Sequence, residues 1–371
     1  MRIGIDIREL EKNKMTGIAR FIENFLSYAV NYDQKNQYIL FGNQKTCCRV
    51  KSENVMVKVI PEFNKFYWDQ IVLASQIKKE NIDVFFSPYH KCPIFSPVKK
   101  VITVHDIYPF LITGFDSRFK MLLKRRYYDL MFSRADKIIS VTQYTKQKML
   151  ELSAVSAGKI EVVYNSVGEE FRSLDKQLCQ EKVREAFGVN AGFILYVGNF
   201  KPHKNLNTLV RAYNALDCGL KEKFQLVIAA KKDEFFPGFY RWVKDLDLER
   251  SVIFTDLVES ADLVSLYNAA SLYISISLCE GFGLPFIEAM ACATPVIAAD
   301  STAISEVVRD AAILVEPCDA AAVTLAIKKV LSDLNLRDSL IAKGLRRCAD
   351  FSLNAQGRKI VEVLEGFRHD F

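Results

Sequence analysis

The sequence lacks the features of a membrane-spanning or disulfide-stabilised protein. Among its 371 residues, no apolar run approaches the ~20 residues that a transmembrane helix needs. The nine cysteines are scattered and odd in number, and no two have the Cys-x-x-Cys spacing of a zinc or thiol-exchange site. The apolar stretch at residues 1–7 is far too short for a signal peptide. We therefore expect a soluble cytoplasmic protein with reduced thiols.

Sequence motifs of several common enzyme classes are also absent. There is no GxGxxG and no GxxxxGK[ST], so a dinucleotide-binding or P-loop site has no support. There is no GxSxG, the turn that carries the nucleophile of many hydrolases. A different kind of site has to be sought in the residues that are present.

Length and pattern predict two α/β domains. A chain of this length exceeds what one hydrophobic core usually supports. Short segments rich in Val and Ile predict strands, and helical patterns separate most of them. Strands that alternate with helices predict parallel sheets with right-handed crossovers in each half. The predicted strands are residues 2–7, 37–42, 55–60, 84–87, 101–105, 137–141, 160–164, 193–197, 225–229, 252–255, 272–277, 296–299 and 313–316.

The most informative segment is a glycine turn at residues 280–288. A predicted strand ends just before Glu280, and a helix begins near Leu284, so two carboxylates, Glu280 and Glu288, flank the turn. Ligands of open parallel sheets bind at such strand-to-helix loops, where glycines and free helical N–H groups accommodate an anion. A ligand with hydroxyl groups at both ends and phosphates between them fits this arrangement. Alternatively, a glutamate on an early helical turn serves only to interact with the helix dipole.

A basic loop at residues 196–205 follows the first predicted strand of the second half. It carries Lys201, His203 and Lys204 just before a helix. Positive charge at this place suits a diphosphate whose negative charge grows as a bond to it breaks. The alternative interpretation is a solvated basic loop.

Both segments resemble the retaining glycosyltransferases of family 4. Glu280 and Glu288 have the two-glutamate spacing of that family, the intervening GFGLP is similar to it, and the similarity continues through residues 294–298, 305–308 and 311–315. The resemblance implies an α/β GT-B fold, in which two Rossmann-like domains with parallel sheets face each other across a cleft. It implies an acceptor-binding domain at residues 1–170 and a nucleotide-sugar-binding domain at 171–353. A C-terminal helix at residues 354–371 would cross back onto the first domain.

The resemblance also implies roles for individual residues of the second half. Glu280 and the amides of the glycine turn would hold the sugar hydroxyls, Lys204 would neutralise the diphosphate, and Glu288 would accept hydrogen bonds from the ribose. Asn199 stands where the family commonly has arginine, and an amide binds phosphate more weakly, so Lys201 or His203 would share that task. The predicted donor-binding residues are Gly17, Gly198, Asn199, Lys204, Glu280, Gly281, Phe282, Gly283, Leu284 and Glu288.

Two of the candidates lie in the first half of the chain. Gly17 follows the first predicted strand and resembles the family's glycine-rich loop, although a simple turn is an equal interpretation. His105 and Asp106 end another strand and resemble a His-Asp pair at the family's acceptor face, whereas a lone histidine there often has a structural role. The predicted catalytic residues are Glu280, His105 and Lys204.

A basic stretch between Arg118 and Lys148 is the third notable feature. It contains nine Lys or Arg residues against two Asp. One interpretation is a helix with an apolar core face and a solvated basic face; the other is a peripheral contact with anionic lipid on the inner face of a membrane. The interleaved apolar residues at helical spacing are Phe119, Leu122, Leu123, Tyr127, Leu130 and Met131.

The predicted function is that of a retaining hexosyltransferase in polysaccharide biosynthesis. It would use GDP-mannose or UDP-glucose and a saccharide or polyprenyl-linked acceptor, with no nucleic-acid partner. We expect no metal, because cationic side chains and helix dipoles can neutralise the diphosphate, and we interpret the DxD spacing of Asp245 and Asp247 as surface. The alternatives are a nucleotide-sugar 2-epimerase of the same fold and a non-catalytic nucleotide-sugar-binding subunit.

Overall fold

The structure is a computed structural model that describes residues 1–12, 16–107 and 118–368, apart from the side chain of Arg118. The chain forms two compact units. The first unit comprises Met1–Ser166 together with the chain from Ser352 onward, and the second comprises Val167–Phe351.

A seven-stranded sheet of parallel strands forms the centre of the first unit, with the order β3-β2-β1-β4-β5-β6-β7. Its central strands are continuous runs of Ile, Val and Phe, because both faces of a parallel sheet are covered by helices. The strands are β1 (Arg2–Asp6), β2 (Gln37–Gly42), β3 (Val55–Val59), β4 (Val84–Ser87), β5 (Lys99–Val104), β6 (Lys137–Ser140) and β7 (Ile160–Val162).

The helices of the first unit are α1 (Gly17–Asn31), α2 (Lys65–Tyr67), α3 (Leu73–Lys79), α4 (Arg118–Arg134), α5 (Gln143–Leu152) and α15 (Leu353–Glu365). A π-helical turn, Trp68–Val72, joins α2 to α3. Successive strand residues point to opposite faces of a sheet. Leu40 accordingly packs with α1 and α15, whereas Ile39 packs with α3 and Ile102 packs with α4. Thus α1 and α15 cover one face of the sheet, and α3 and α4 cover the other.

Helix α4 does not have the apolar core face that one of the two sequence interpretations gave it. Of the six apolar residues assigned to its core face, only Met131 is buried, where Tyr128 and Phe132 accompany it. The helix meets the sheet through its C-terminal half, so a different set of side chains reaches the core. The other five side chains are 40–68% exposed and are Phe119, Leu122, Leu123, Tyr127 and Leu130.

The second unit contains a six-stranded parallel sheet with the order β10-β9-β8-β11-β12-β13. The chain passes from β8 to β9 on one side and continues from β11 to β12 on the other side, so the strand order reverses between β8 and β11. At such a switch point, the loops after two adjacent strands diverge and leave a crevice for a ligand. The strands are β8 (Gly192–Gly198), β9 (Phe224–Ala230), β10 (Val252–Phe254), β11 (Leu272–Ser275), β12 (Val296–Ala299) and β13 (Ile313–Val315).

Helices on both faces of this second sheet enclose one hydrophobic core. Each of the predicted strands in both units is present, with ends within two residues of those predicted, so the parallel α/β architecture is confirmed. The helices are α6 (Lys176–Phe187), α7 (Leu206–Asn214), α8 (Cys218–Lys223), α9 (Phe236–Asp245), α10 (Ser260–Ala269), α11 (Leu284–Ala291), α12 (Ile304–Val308), α13 (Ala320–Ser332) and α14 (Leu334–Cys348).

The last helix, α15, belongs to the first unit although it follows the second in sequence. Its Gly357 lies directly against Tyr28 of α1, so that a Cβ atom at position 357 would stand 2.0 Å from Cγ of Tyr28. The buried Gln356 accepts a hydrogen bond of 2.6 Å from Oγ of Ser166, and Glu365 accepts one of 3.1 Å from Asn36. These contacts attach the end of the chain to the first sheet.

Gly357→Ala should therefore lower the free energy of unfolding by about 1–3 kcal/mol, because the added methyl group overpacks the interface with α1. The loss should occur even though alanine is the better residue in a helix interior. Gly238→Ala in α9 is the matched control, since no atom lies within 4 Å of the added Cβ atom there. It should be neutral or stabilising. Urea unfolding followed by circular dichroism measures both changes, and equal midpoints for the two variants would contradict the close packing.

Candidate functional site

The two motifs singled out in the second half of the sequence lie side by side at the switch point. They are the loops that follow β8 and β11, which are neighbouring strands. The amide of Leu278, in the second loop, donates a hydrogen bond of 2.8 Å to the carbonyl of His203, in the first. Parallel pairing brings the carboxyl ends of both strands to the same edge of the sheet, which is why segments 75 residues apart in sequence meet.

Lys204 and Glu280 form an ion pair between these loops. The Lys204 ammonium donates to Oε1 of Glu280 across 2.5 Å, and the two side chains are only 16% and 18% exposed. Limited exposure reduces screening by solvent, so a charge-assisted hydrogen bond here is stronger than at an open surface. Two residues predicted to act together are thus in direct contact.

Asn205 connects the loops at this edge of the sheet, although its sequence position was not singled out. It lies in the left-handed region, with φ of 56°, and begins α7. Its side-chain amide donates to the carbonyls of Ile276 at 3.2 Å and Pro317 at 2.6 Å, so it connects the loops that follow β8, β11 and β13. An asparagine directly before a helix was the available signal, because asparagine tolerates this conformation better than most residues.

Asn199 shapes the basic loop. Its Oδ1 accepts a hydrogen bond of 3.1 Å from the amide of Lys201, and its carbonyl accepts one of 3.1 Å from the hydroxyl of Tyr196. At the preceding Gly198, a Cβ atom would stand 2.3 Å from that hydroxyl, so the position requires glycine. A short amide at position 199 therefore stabilises the turn, and Lys204 is the cation that the loop delivers to Glu280.

Two hydroxyl side chains that the sequence reasoning missed connect the Glu280 loop to the loop after β12. Thr302 accepts a hydrogen bond of 3.1 Å from the amide of Glu280, and Ser301 donates one of 3.0 Å to the carbonyl of Ser277. Glu280 is therefore held through its backbone as well as through Lys204.

Gly283 forms the turn that starts α11. Its φ of 87° is accessible to glycine at little cost, and a Cβ atom there would stand 2.5 Å from the ring of Phe286. No side chain caps the start of this helix, since glycine has none to offer. Phe282 is buried and its ring lies edge-on to Phe351, so the turn can offer a ligand only backbone groups at this residue.

Glu288 lies one turn further into α11 and is only 3% exposed. Its Oε2 accepts a hydrogen bond of 2.8 Å from the hydroxyl of Tyr267 on α10, a side chain that is fully buried. The buried carboxylate is therefore oriented by a tyrosine that the sequence reasoning did not single out.

His203 does not add a positive charge to the loop at neutral pH. Burial, and then the nearby charge of Lys204, lowers the pKa of His203 to about 4. The neutral imidazole can hydrogen-bond a phosphate but cannot neutralise one, so Lys204 and Lys201 are the cations of this loop.

Comparison with known proteins identifies the family of the chain. Residues 34–171 match the family described as Glycosyltransferase Family 4, and residues 180–347 match Glycosyl transferases group 1. The chain is also 30% identical to the O-antigen chain mannosyltransferase RfbU of Salmonella typhimurium over 264 residues, which are 71% of this chain and 69% of that protein. The chain belongs to glycosyltransferase family 4.

A further relative matches over a smaller share of its own length. The serotype-specific mannosyltransferase WbdA of Escherichia coli is 30% identical over 263 residues, which are 69% of this chain. The chain spans about a third of the length of WbdA, with 32% covered.

A solved structure shares the fold over its whole length. Anabaena HepE, determined in complex with UDP and glucose, superposes with a TM-score of 0.78 at 16% identity, covering 99% of this chain and 100% of that one. The expected GT-B architecture of two Rossmann-like domains with parallel sheets is confirmed.

The two candidate residues of the first unit are both associated with α1. Gly17 is the exposed first residue of α1, behind the capping residue Thr16, whose Oγ1 accepts from the amide of Ala19 at 3.1 Å. Phe21, one turn further along α1, packs edge-on against the ring of His105 at 5.0 Å. The Nε2 atom of His105 lies 3.0 Å from the carbonyl of Pro88, so it carries the proton. Burial lowers the pKa of His105 to about 4, and the bond to Pro88 only partly offsets this.

Asp245 and Asp247 are exposed at the end of α9. Within residues 1–12, 16–107 and 118–368, no three His, Cys, Asp or Glu side chains are grouped so that they could hold a metal ion.

A double-mutant cycle of Lys204→Met and Glu280→Gln should give a coupling energy of about 1–3 kcal/mol in the free energy of unfolding, because each single variant leaves its partner without its counter-charge. Urea denaturation of the two single variants and the double variant measures it. Lys148 and Glu151, which also lie 2.5 Å apart but are more exposed, provide the control cycle. Equal, near-zero coupling in both cycles would contradict the sheltered ion pair.

Three of the four histidines should titrate near pH 4. Burial lowers the pKa of His90, His105 and His203 to about 4, against about 6.5 in an unfolded chain. The unfolded chain then binds protons between these pH values and the folded chain does not, so the free energy of unfolding should fall as the pH is lowered from 6.5 toward 4. Histidine NMR titration, with His→Asn variants for assignment, measures the three values. Titration of these rings near pH 6.5 would show that they are solvated.

Proposed function

We propose that this family 4 chain is a retaining glycosyltransferase that moves a hexose from a nucleotide-diphosphate sugar to a saccharide or lipid-linked saccharide in polysaccharide biosynthesis. The ion pair of Lys204 and Glu280, beside the turn at Gly283, is the observation that carries the proposal. It places a cation, a carboxylate and an uncapped helix start at one switch point.

A nucleotide sugar supplies a partner for each member of this pair. When the pair opens, the Lys204 ammonium needs an anion, and the diphosphate provides one. The Glu280 carboxylate then needs hydrogen-bond donors, and the sugar hydroxyls provide them. A plain anion would leave Glu280 repelled, and a free sugar would leave Lys204 without its counter-charge.

The reaction that fits these groups breaks the bond between C1 of the sugar and the leaving phosphate oxygen, and both bonding electrons stay on that oxygen. Lys204 and the N–H groups at the start of α11 stabilise the negative charge that develops there. The acceptor hydroxyl attacks C1 from the same face, and its proton passes to the leaving phosphate oxygen. No protein nucleophile takes part, and the anomeric configuration is retained.

The remaining predicted residues have supporting roles in this proposal. Glu288, oriented by Tyr267, accepts hydrogen bonds from the ribose hydroxyls. Gly17, which has no side chain, leaves the start of α1 accessible to a ligand. His105, neutral and fixed by Pro88, contacts the acceptor bound by the first unit.

The proposed donor is GDP-mannose or UDP-glucose. RfbU and WbdA are both described as mannosyltransferases, which supports GDP-mannose as the donor. The HepE complexes with UDP-glucose and with UDP and glucose support the other donor.

Thermal-shift and calorimetric titrations with UDP, GDP and their sugar conjugates test the proposal. One nucleotide should stabilise the wild-type protein by roughly 2.7 kcal/mol at 100 times its Kd. Glu288→Gln should bind it about 10- to 100-fold more weakly, because a hydrogen bond to a charged group is lost. Glu280→Gln should bind the nucleoside diphosphate at least as well, since Lys204 no longer has a competing partner, yet turn over the sugar donor about 100-fold more slowly. Glu249→Gln, an exposed glutamate far along the chain from the site, is the control.

NMR of the sugar first released from the donor decides between the candidate activities. An α-linked donor that yields the α-anomer supports retention. Release of a 2-epimerised sugar would replace the transferase with an epimerase, and nucleotide binding with no turnover by any donor or acceptor would indicate a binding subunit. No response to any nucleotide at millimolar concentration would overturn the proposal.

A further inference from the structure

An exposed row of apolar side chains lies on the N-terminal half of α4. Phe119 is 68% exposed, and Leu122 and Leu123 are 53% and 54% exposed. Basic residues alternate with them, so that α4 as a whole carries six Lys or Arg residues and one Asp. The solvent-facing side of a helix normally carries few large apolar side chains.

A second exposed apolar group lies at residues 63–71, between β3 and α3. Phe63 is 97% exposed, Phe66 71%, Tyr67 57% and Ile71 50%. Large apolar side chains at this density are unusual on a protein that contacts only water.

The chain that carries this second group is firmly attached to the sheet. The guanidinium of the buried Arg8 pairs with Glu62 at 2.8 Å and also with Asp69, and it lies 3.7 Å above the ring of Trp68. Trp68 itself is buried. The exposed rings are therefore presented by an anchored segment.

The two groups adjoin through residues 89–95. Gln70 donates to the carbonyl of Cys92 at 3.2 Å and accepts from the amide of Ile94 at 2.8 Å. On the other side, the ring of His90 stacks on Tyr128 of α4 at 4.4 Å. Phe95, which is 73% exposed, follows Ile94 directly in this connecting segment. Since α3 and α4 cover the same face of the sheet, these side chains form one surface.

We propose that this aromatic–basic surface, formed by Phe63, Phe66, Tyr67, Ile71, Phe95 and the exposed side chains of α4, binds an anionic lipid bilayer. The proposal rests on the proposed function only in that a lipid-linked acceptor would then be met at the membrane. None of the described helices is long and apolar enough to cross a bilayer.

Charge decides in favour of lipid as the occupant. Rings that enter the acyl boundary and basic side chains that reach anionic headgroups satisfy both features of the surface. A second copy of the chain would bring the same basic helix against itself, and the like charges would repel.

The surface differs from the one expected from the sequence, which ran from Arg118 to Lys148. The basic residues beyond α4 are engaged within the unit. Lys137 pairs with Glu161 at 3.1 Å, Lys146 donates to the carbonyl of Ile160 at 2.9 Å, and Lys148 pairs with Glu151. The proposed surface therefore contains residues 63–71 and 95 instead of the basic residues beyond α4.

Vesicle co-sedimentation of the whole chain tests the proposal. The wild-type protein should bind vesicles that contain phosphatidylglycerol and not vesicles of phosphatidylcholine alone, and added salt should weaken the binding. Phe66→Ser with Phe119→Ser, and Arg125→Glu with Arg126→Glu, should each weaken it at least tenfold. The matched controls are Leu325→Ser with Leu334→Ser, at 68% and 66% exposure, and Lys182→Glu with Arg184→Glu; these should bind as the wild type does.

Tryptophan fluorescence provides a second measurement that does not depend on removing apolar or basic side chains. The fluorescence that Phe66→Trp adds to that of the native Trp68 and Trp242 should be quenched by brominated acyl chains, and the fluorescence that Leu334→Trp adds should not. Absence of vesicle binding and of quenching overturns the proposal. Concentration-dependent dimerisation without vesicles, abolished by the double Phe variant, overturns it in favour of a second copy.

The nucleotide titration of the same samples separates this proposal from the function. Stabilisation by a nucleotide without vesicle binding would overturn the membrane-binding proposal and leave the transferase proposal intact. Vesicle binding without any response to nucleotides would overturn the transferase proposal and leave the membrane-binding proposal intact.

Discussion

Parallel pairing of the strands is the constraint on which the rest of this structure depends. Because every strand runs in the same direction as its neighbours, the carboxyl ends of each sheet meet at one edge, and most of the return connections contain helices, which cover both faces. Burial disfavours polar side chains within the strands, and the polar side chains of the candidate site lie in the loops at that edge. The reversal of strand order between β8 and β11 then opens a place between two of these loops.

Polar contacts hold the loops of the second unit in a defined arrangement. Asn205 links three of them through two backbone carbonyls, and Thr302 holds the amide of Glu280 from the loop after β12. The Lys204–Glu280 pair lies on top of this framework, partly sheltered from water. These contacts tie the loops to one another and keep the two charged side chains together at the carboxyl edge of the sheet.

Electrostatics in the first unit has a different consequence. The buried guanidinium of Arg8 pairs with Glu62 and Asp69 and lies over the face of Trp68, so these contacts contribute order to the segment that follows β3. That order keeps the exposed rings beside it in place, and α4 adds net positive charge nearby. The same unit also keeps His105 neutral by burying it against Phe21 and Pro88.

Sequence by itself determined the strands, the parallel class and the family, because period and residue type are local properties and the two-glutamate motif is contiguous. It also located Glu280 and Lys204, whose neighbours in sequence, Gly283 and Asn205, shape their loops. Tertiary structure alone decided the partners. Tyr267 reaches Glu288, and Thr302 reaches Glu280, across intervals that no local pattern spans. The helical spacing of Phe119 and Leu122 left a core face and a lipid-contacting surface as alternatives, because spacing identifies an apolar face and only the position of the sheet decides whether that face is buried.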